Sequence, residues 1–107
     1  MNILVYTQCF APKLGGIESV MTNIASQASV LDHNVKVLAD GSKYLSSKFD
    51  KNQKFETYRF DQIKFLRKKI KSNFALNLII ENTFDLIFFD SWTSLEGFND
   101  TTKSKKV

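Results

Sequence analysis

The sequence predicts an α/β domain: a Rossmann-like parallel sheet of about four strands, order 3-2-1-4, with helices on both faces. Three observations lead there. Short apolar runs at Ile3-Leu4-Val5-Tyr6, Val35-Lys36-Val37-Leu38-Ala39 and Leu86-Ile87-Phe88-Phe89 are nearly continuous rather than alternating, as in strands covered on both sides. Between the first two lies a segment of helical period, with Ile17, Val20, Met21, Ile24, Ala25, Ala28 and Leu31 on one face. Strand, helix and strand thus follow one another within residues 2–39, a βαβ unit, which is right-handed almost without exception.

Asn2 to Tyr6 forms the first strand, and a loop holding Pro12 and Gly15-Gly16 leads into the first helix, which ends near Leu31. Asp32-His33 make the next turn, where Asp tolerates a left-handed backbone. Val35 to Ala39 is the second strand, closed by Asp40-Gly41-Ser42. Lys43 to Asn52 is mixed and basic, either loop or short helix. Phe55 to Phe60 is a third strand toward the sheet edge. From Gln62 the period is helical: Ile63, Leu66, Ile70 and Phe74 share the face expected to be buried. Lys64, Arg67, Lys68 and Lys71 line the other, expected to be a solvated basic side or a contact with an anionic membrane surface. Leu76 to Ile80 either continues this helix or follows a break at Ser72-Asn73. The fourth strand spans Asp85 to Asp90, with Asp85 as a turn or cap residue.

Composition narrows the class. A chain of 107 residues has the size of one domain, and its 43% apolar and 24% charged residues are ordinary for a globular protein. The net charge of +4 is unevenly spread. Residues 41–72 carry ten Lys or Arg against Asp50, Glu56 and Asp61, leaving +7, while the segments before and after are slightly acidic. A positive middle segment is not the footprint of a nucleic-acid-binding protein, so no nucleic-acid partner is expected. Cys9 is the single cysteine, which rules out an intramolecular disulfide and favours a reducing, cytoplasmic setting. The start of the chain lacks the basic and long apolar regions of a signal peptide, and no run approaches the ~20 apolar residues of a membrane span. One His, one Cys and scattered acids offer no metal-ligand spacing, so no metal is expected. His33 lies at the amino end of the sheet and reads as a structural residue.

The functional clue is Cys9-Phe-Ala-Pro-Lys-Leu-Gly-Gly-Ile-Glu18. Two residues without Cβ atoms at a strand-to-helix turn let a ligand approach the main chain, beside the free N–H groups of a helix start, a combination suited to phosphate. Close packing within an α/β unit also uses such a pair. At the carboxyl end of the fourth strand stand Asp90-Ser91-Trp92. In an open sheet of order 3-2-1-4, ligands bind where strand order reverses, between the ends of strands one and four. There Asp90 offers a hydroxyl-binding carboxylate and Trp92 a stacking surface for a sugar. Alternatively, Asp90 caps a helix starting near Thr93 and Trp92 packs on it.

Phe-x-Pro-x-x-Gly-Gly-x-Glu after a first strand, followed by a long amphipathic helix and Asp32-His33-Asn34-Val35-Lys36-Val37, resembles the N-terminal domain of family 4 glycosyltransferases. These are retaining, nucleotide-sugar-dependent enzymes of the two-domain GT-B type. The resemblance runs over most of residues 1–98 and is specific in the first forty. It departs at Asp32, where the family usually has Gly. It implies that Gly15 and Gly16 face the donor diphosphate and that Lys13, Asp90 and Trp92 are candidate acceptor contacts. A nucleotide-sugar is then the co-substrate, no other cofactor is needed, and the acceptor is a glycan, lipid or small molecule. Residues 1–107 would be the acceptor-side domain, incomplete at its C-terminal end. The nucleotide-holding half and the catalytic residues would lie beyond residue 107, so this stretch alone would not transfer sugar. A fourth strand without its neighbour would leave an edge open to self-association.

Two other classes compete. Asp40 follows Gly16 at about the distance of the ribose-binding acid in a dinucleotide-binding module, although the Gly-x-Gly-x-x-Gly spacing is absent. A non-catalytic interaction domain, docking through the unfinished sheet, is the third.

Overall fold

The computed structural model describes residues 1–91, 94–96 and 98. Its elements run β1 (Asn2–Tyr6), α1 (Gly16–Val30), β2 (Asn34–Asp40), α2 (Lys43–Lys51), β3 (Glu56–Phe60), α3 (Lys64–Glu81) and β4 (Leu86–Phe89). The four strands form one sheet of order β3-β2-β1-β4 in which every pairing is parallel. Ile3 pairs with Val35 on one side and with Leu86 on the other, so β1 is central. The predicted fold class and strand order are those observed.

Alternation along the strands divides the core in two. Ile3, Val5, Val35, Val37 and Ala39 point to one face and bury Met21 and Ala25 of α1, with Phe49 of α2 packed at the margin. Leu4, Tyr6 and Leu38 point to the other, against Ala75 and Leu78 of α3 and against Phe98. Burial of Met21 and Leu78, with partly buried Ile24, Phe49, Phe74 and Ile79 beside them, at about 25 cal/mol per Å² of apolar surface, holds the helices to the sheet.

The turns follow their side chains. Asp32 adopts φ 64°, the left-handed conformation that its short polar side chain tolerates. Gly41, at φ 128°, occupies a region closed to residues with a Cβ and turns β2 toward α2. Ser42 caps that helix, its hydroxyl accepting the Leu45 N–H at 3.1 Å. The segment after β2, open between loop and helix by sequence, is therefore a nine-residue helix. Asp85 is a turn residue whose carboxylate accepts the Asn2 N–H at 2.7 Å, which fixes the start of β4 beside that of β1.

Two expectations about buried faces need correction. On α1, Met21 and Ala25 are buried, but Ile17, Val20 and Leu31 lie exposed at the margins of the stripe. On α3 the expected faces hold only in part: Phe74 packs against the core as expected, but the rest of its row does not. Lys71, Ser72, Ala75 and Leu78 face the sheet, whereas Ile63 and Phe65 are 62% and 73% exposed and Leu66 and Ile70 are exposed as well. Of the basic side, Lys64 and Lys68 are exposed as expected, whereas Arg67 is half-buried and Lys71 is buried. The cause is geometric: α3 is a single unbroken helix of 18 residues, about 27 Å long, whereas β1 has five residues, about 17 Å. The helix is longer than the strands, and Ile63 and Leu66 near its start are left exposed among the described residues. Small Ser72 and Ala75 set the rotation by allowing close contact over Leu4 and Leu38.

Candidate functional site

The loop from Thr7 to Gly15 has a fixed base and an exposed tip. Four anchors hold the base. Thr7 donates its N–H to the Leu38 carbonyl and its hydroxyl to the Cys9 carbonyl, while Cys9 N–H donates back to that hydroxyl. Asp90 accepts the Gln8 N–H at 2.9 Å and the Cys9 N–H at 3.4 Å. Thr22 of α1 accepts the Ala11 N–H and donates to the Glu18 carbonyl. Arg59 of β3, buried to 2% side-chain exposure, donates to the Ala11 carbonyl and grips Asp50 through Nε and Nη2 at 3.1 and 2.9 Å. Its guanidinium also lies 5.5 Å over the Phe10 ring, so it ties the loop to both β3 and α2. From Pro12 to Ile17 every side chain is exposed, Leu14 to 94%.

The two glycines differ. A Cβ on Gly15 would come 2.3 Å from Oε1 of Glu18, whose carboxylate lies over the start of α1. An acid in the first helical turn there compensates the positive end of the helix from within the chain. A Cβ on Gly16 would meet nothing within 4 Å. Packing inside the chain therefore does not require the second glycine, and the space before it is open. Lys13 stands exposed on the same tip.

Asp90 reaches the predicted place, at the carboxyl end of β4 beside the loop after β1, but its oxygens are engaged. Besides the two backbone N–H groups, it accepts the Ser94 hydroxyl at 2.7 Å. Burial opposes its charge, yet the Ser94, Gln8, Thr7 and Cys9 hydrogen bonds outweigh burial and hold its carboxyl below the usual range. Ser91 Oγ accepts the Ser94 N–H at 3.3 Å. Trp92 and the helix start near Thr93 lie outside the described residues. Cys9 is half-buried and its thiol is pushed up, chiefly by burial, then by Glu18 and Asp90, which works against a reactive thiolate. His33 sits at the opposite end of the sheet, its Nδ1 2.9 Å from the Met1 amine.

A concavity lined by α3 was not anticipated from sequence. It encloses about 130 Å³ at the carboxyl end of the sheet. Tyr6 and Gln8 after β1, Asp40 at the end of β2, and Ser94 form one side, and Lys64, Arg67, Lys68 and Lys71 of α3 form the other. Spacing of i, i+3, i+4 and i+7 puts these four cations on one stripe of the helix. Lys71 lies at the floor, 3% exposed, donating to the Thr7 carbonyl and to Asp40 Oδ1, with its amine 4.8 Å from the Tyr6 ring centroid. Its pKa is lowered by burial, against the pull of Asp40. Arg67 Nε reaches the other Asp40 oxygen at 3.3 Å. Asp40, the candidate ribose-binding acid, is thus paired twice. The Tyr6 hydroxyl is pushed up by burial and by Asp40 and Asp90, so it stays protonated. The signal was present in the sequence as Lys64-x-x-Arg67-Lys68-x-x-Lys71. What periodicity could not tell was which side of the helix faced the sheet.

Among the described residues no group of three His, Cys, Asp or Glu could hold a metal ion, and no helix is long and apolar enough to cross a membrane. Neither a scan against protein-family models nor a search of curated proteins finds a match to this chain.

Proposed function

We propose that this chain is the acceptor-side part of a retaining glycosyltransferase that moves a sugar from a nucleotide-sugar to a hydroxyl-bearing acceptor. The observation that carries the reading is the Gly15-Gly16 turn. It sits on a rigidly anchored loop at the carboxyl end of a 3-2-1-4 parallel sheet, at the head of a fifteen-residue helix. Among the described residues, no neighbouring atom needs Gly16 to be glycine. A small residue with no internal contact that requires it suits a partner that approaches from outside, and free N–H groups at a helix start suit an anion. The diphosphate of the donor, held mainly by a second domain, is that partner.

On this reading, the amide of Gly16 and the start of α1 stabilise the charge that grows on the leaving phosphate. The Glu18 carboxylate near Gly15 keeps the empty turn from carrying uncompensated positive potential and swings aside as the diphosphate arrives. The acceptor lies in the concavity between β1, β2 and α3, where Gln8 and Ser94, both bonded to Asp90, are among the lining residues. Exposed Ile63, Phe65, Leu66 and Ile70, together with Leu14 and Ile17, ring the same end of the molecule and suit contact with the second domain or with a membrane surface. The dinucleotide alternative loses its main support, because the Asp40 carboxylate is taken by Lys71 and Arg67.

Gly16→Val in the full-length polypeptide tests the reading. A branched side chain in that open space leaves the fold intact but blocks the diphosphate. The turnover number should fall by about 10²-fold, the typical cost of one lost oxyanion donor. A folded variant with unchanged kcat refutes the assignment.

A further inference from the structure

The concavity beside α3 has a charge imbalance that the chain leaves unresolved. Lys64, Arg67, Lys68 and Lys71 converge on it, and the carboxylate that lines it, Asp40, is shared between Arg67 and Lys71. Lys64 and Lys68 have no carboxylate within salt-bridge distance among the described residues. The nearby Asp90 is turned to the Gln8 and Cys9 amides and the Ser94 hydroxyl.

Helix polarity makes the imbalance worse. These cations occupy the first two turns of α3, the positive end of the helix dipole, where acids are favoured and cations are not. That first turn has no acid, and the position before it is Ile63, which offers no side-chain cap. Lys64 with Lys68, and Arg67 with Lys71, are like-charge pairs at i, i+4, each unfavourable in itself. An arrangement unfavourable on three counts, built around a cavity, is resolved by an anion in that cavity. Its size agrees: about 130 Å³ is roughly four times the ~30 Å³ share of one liquid water. That accommodates a phosphate and part of what it is attached to. The protonated Tyr6 hydroxyl and the Gln8 side chain are polar partners for a neutral, hydroxyl-rich remainder.

We infer that this pocket binds the phosphate of a phosphomonoester, held by Lys64 and Lys68 with Arg67 and Lys71 behind them. That the phosphomonoester is the acceptor of sugar transfer rests on the glycosyltransferase reading above, whereas binding itself does not. Asp40 holds Arg67 and Lys71 in place, so the two exposed lysines give selectivity for charge without disturbing the core.

Calorimetric titration of the full chain with glucose 6-phosphate, inorganic phosphate and glucose tests this without any transfer assay. Glucose 6-phosphate and phosphate should bind and glucose should not. The double variant Lys64→Gln/Lys68→Gln should lower phosphate affinity about tenfold, since it removes two charge-assisted contacts. Lys69→Gln, on the same helix but outside the pocket lining, should stay within about twofold of the parent, as expected for a screened surface charge. Sedimentation with phosphatidylcholine vesicles, with and without phosphatidic acid, separates a lipid source from a soluble one. Soluble phosphate that releases the protein from phosphatidic acid vesicles places both sources in the same pocket. No binding of any phosphate probe by the parent overturns the inference, as does an equal loss in the Lys69 variant. If sugar transfer succeeds while phosphate binding fails, this inference falls and the reading of the Gly16 turn stands.

Discussion

Arg59→Met is the substitution with the largest calculable consequence for the loop that carries Gly15 and Gly16. The wild-type guanidinium makes two bonds to Asp50, one to the Ala11 carbonyl and a face contact with Phe10, at 2% side-chain exposure. Methionine fills most of the volume but leaves the 15%-exposed Asp50 without its partner. Removing one member of a buried pair costs about 3–5 kcal/mol, mostly for the stranded charge. Against a total stability of about 5–15 kcal/mol for a domain, that is a large fraction. The urea midpoint of the circular dichroism transition should fall accordingly, and a thermal transition should drop by more than about 10 °C. Adding Asp50→Leu removes the stranded carboxylate, so Arg59→Met/Asp50→Leu should regain part of the loss. A single variant within about 1 kcal/mol of wild type, or a double variant worse than the sum of its parts, would refute the claim that this pair holds the loop.

Two further outcomes follow from the strand ends. Asp90 has a folded-state pKa below its ordinary value, so its stabilisation is present above that value and is lost as pH falls through the folded one. Asp90→Asn should cost about 1 kcal/mol near neutrality and flatten the acid limb of stability below about pH 4, read from urea melts at stepped pH. β4 is an edge strand of the described sheet, and its four apolar residues include Leu86 at 43% exposure, so sedimentation should show concentration-dependent self-association. Leu86→Lys should weaken that association without loss of helicity, and an unchanged sedimentation profile would exclude the edge as the contact.

The fold was legible because its signals are local. Continuous apolar runs mark β1, β2 and β4, and the helical period between β1 and β2 fixes the crossover. Asp32 and Asp85 were legible for the same reason, since each serves a turn through its own short side chain. Of the candidate site, the placing of Asp90 beside the loop after β1 was legible, and its carboxylate accepts the Gln8 and Cys9 N–H groups there. What escaped depends on lengths and partners that periodicity does not encode. The apolar row Ile63, Leu66, Ile70 and Phe74 is a valid helical stripe, yet its first three residues are exposed and only Phe74 packs inward, on Tyr58 and Phe60. Lys71 reads as a surface residue until Asp40 and the Thr7 carbonyl, 31 and 64 positions away, compensate its burial. Arg59 looked like one member of an alternating strand, and only the return of Ala11 and Asp50 to its side makes it an anchor. Such long-range polar pairings carry no pattern in sequence.

Sugar transfer itself tests the central claim most directly. The full-length polypeptide is incubated with a panel of radiolabelled nucleotide-sugars and with hexose or hexose phosphate acceptors, and labelled product is separated by chromatography. The account predicts transfer from at least one donor with retention at the anomeric centre, and a lower KM for the phosphorylated acceptor that rises in Lys64→Gln/Lys68→Gln while kcat holds. A folded polypeptide that neither transfers nor hydrolyses any nucleotide-sugar in the panel would contradict it.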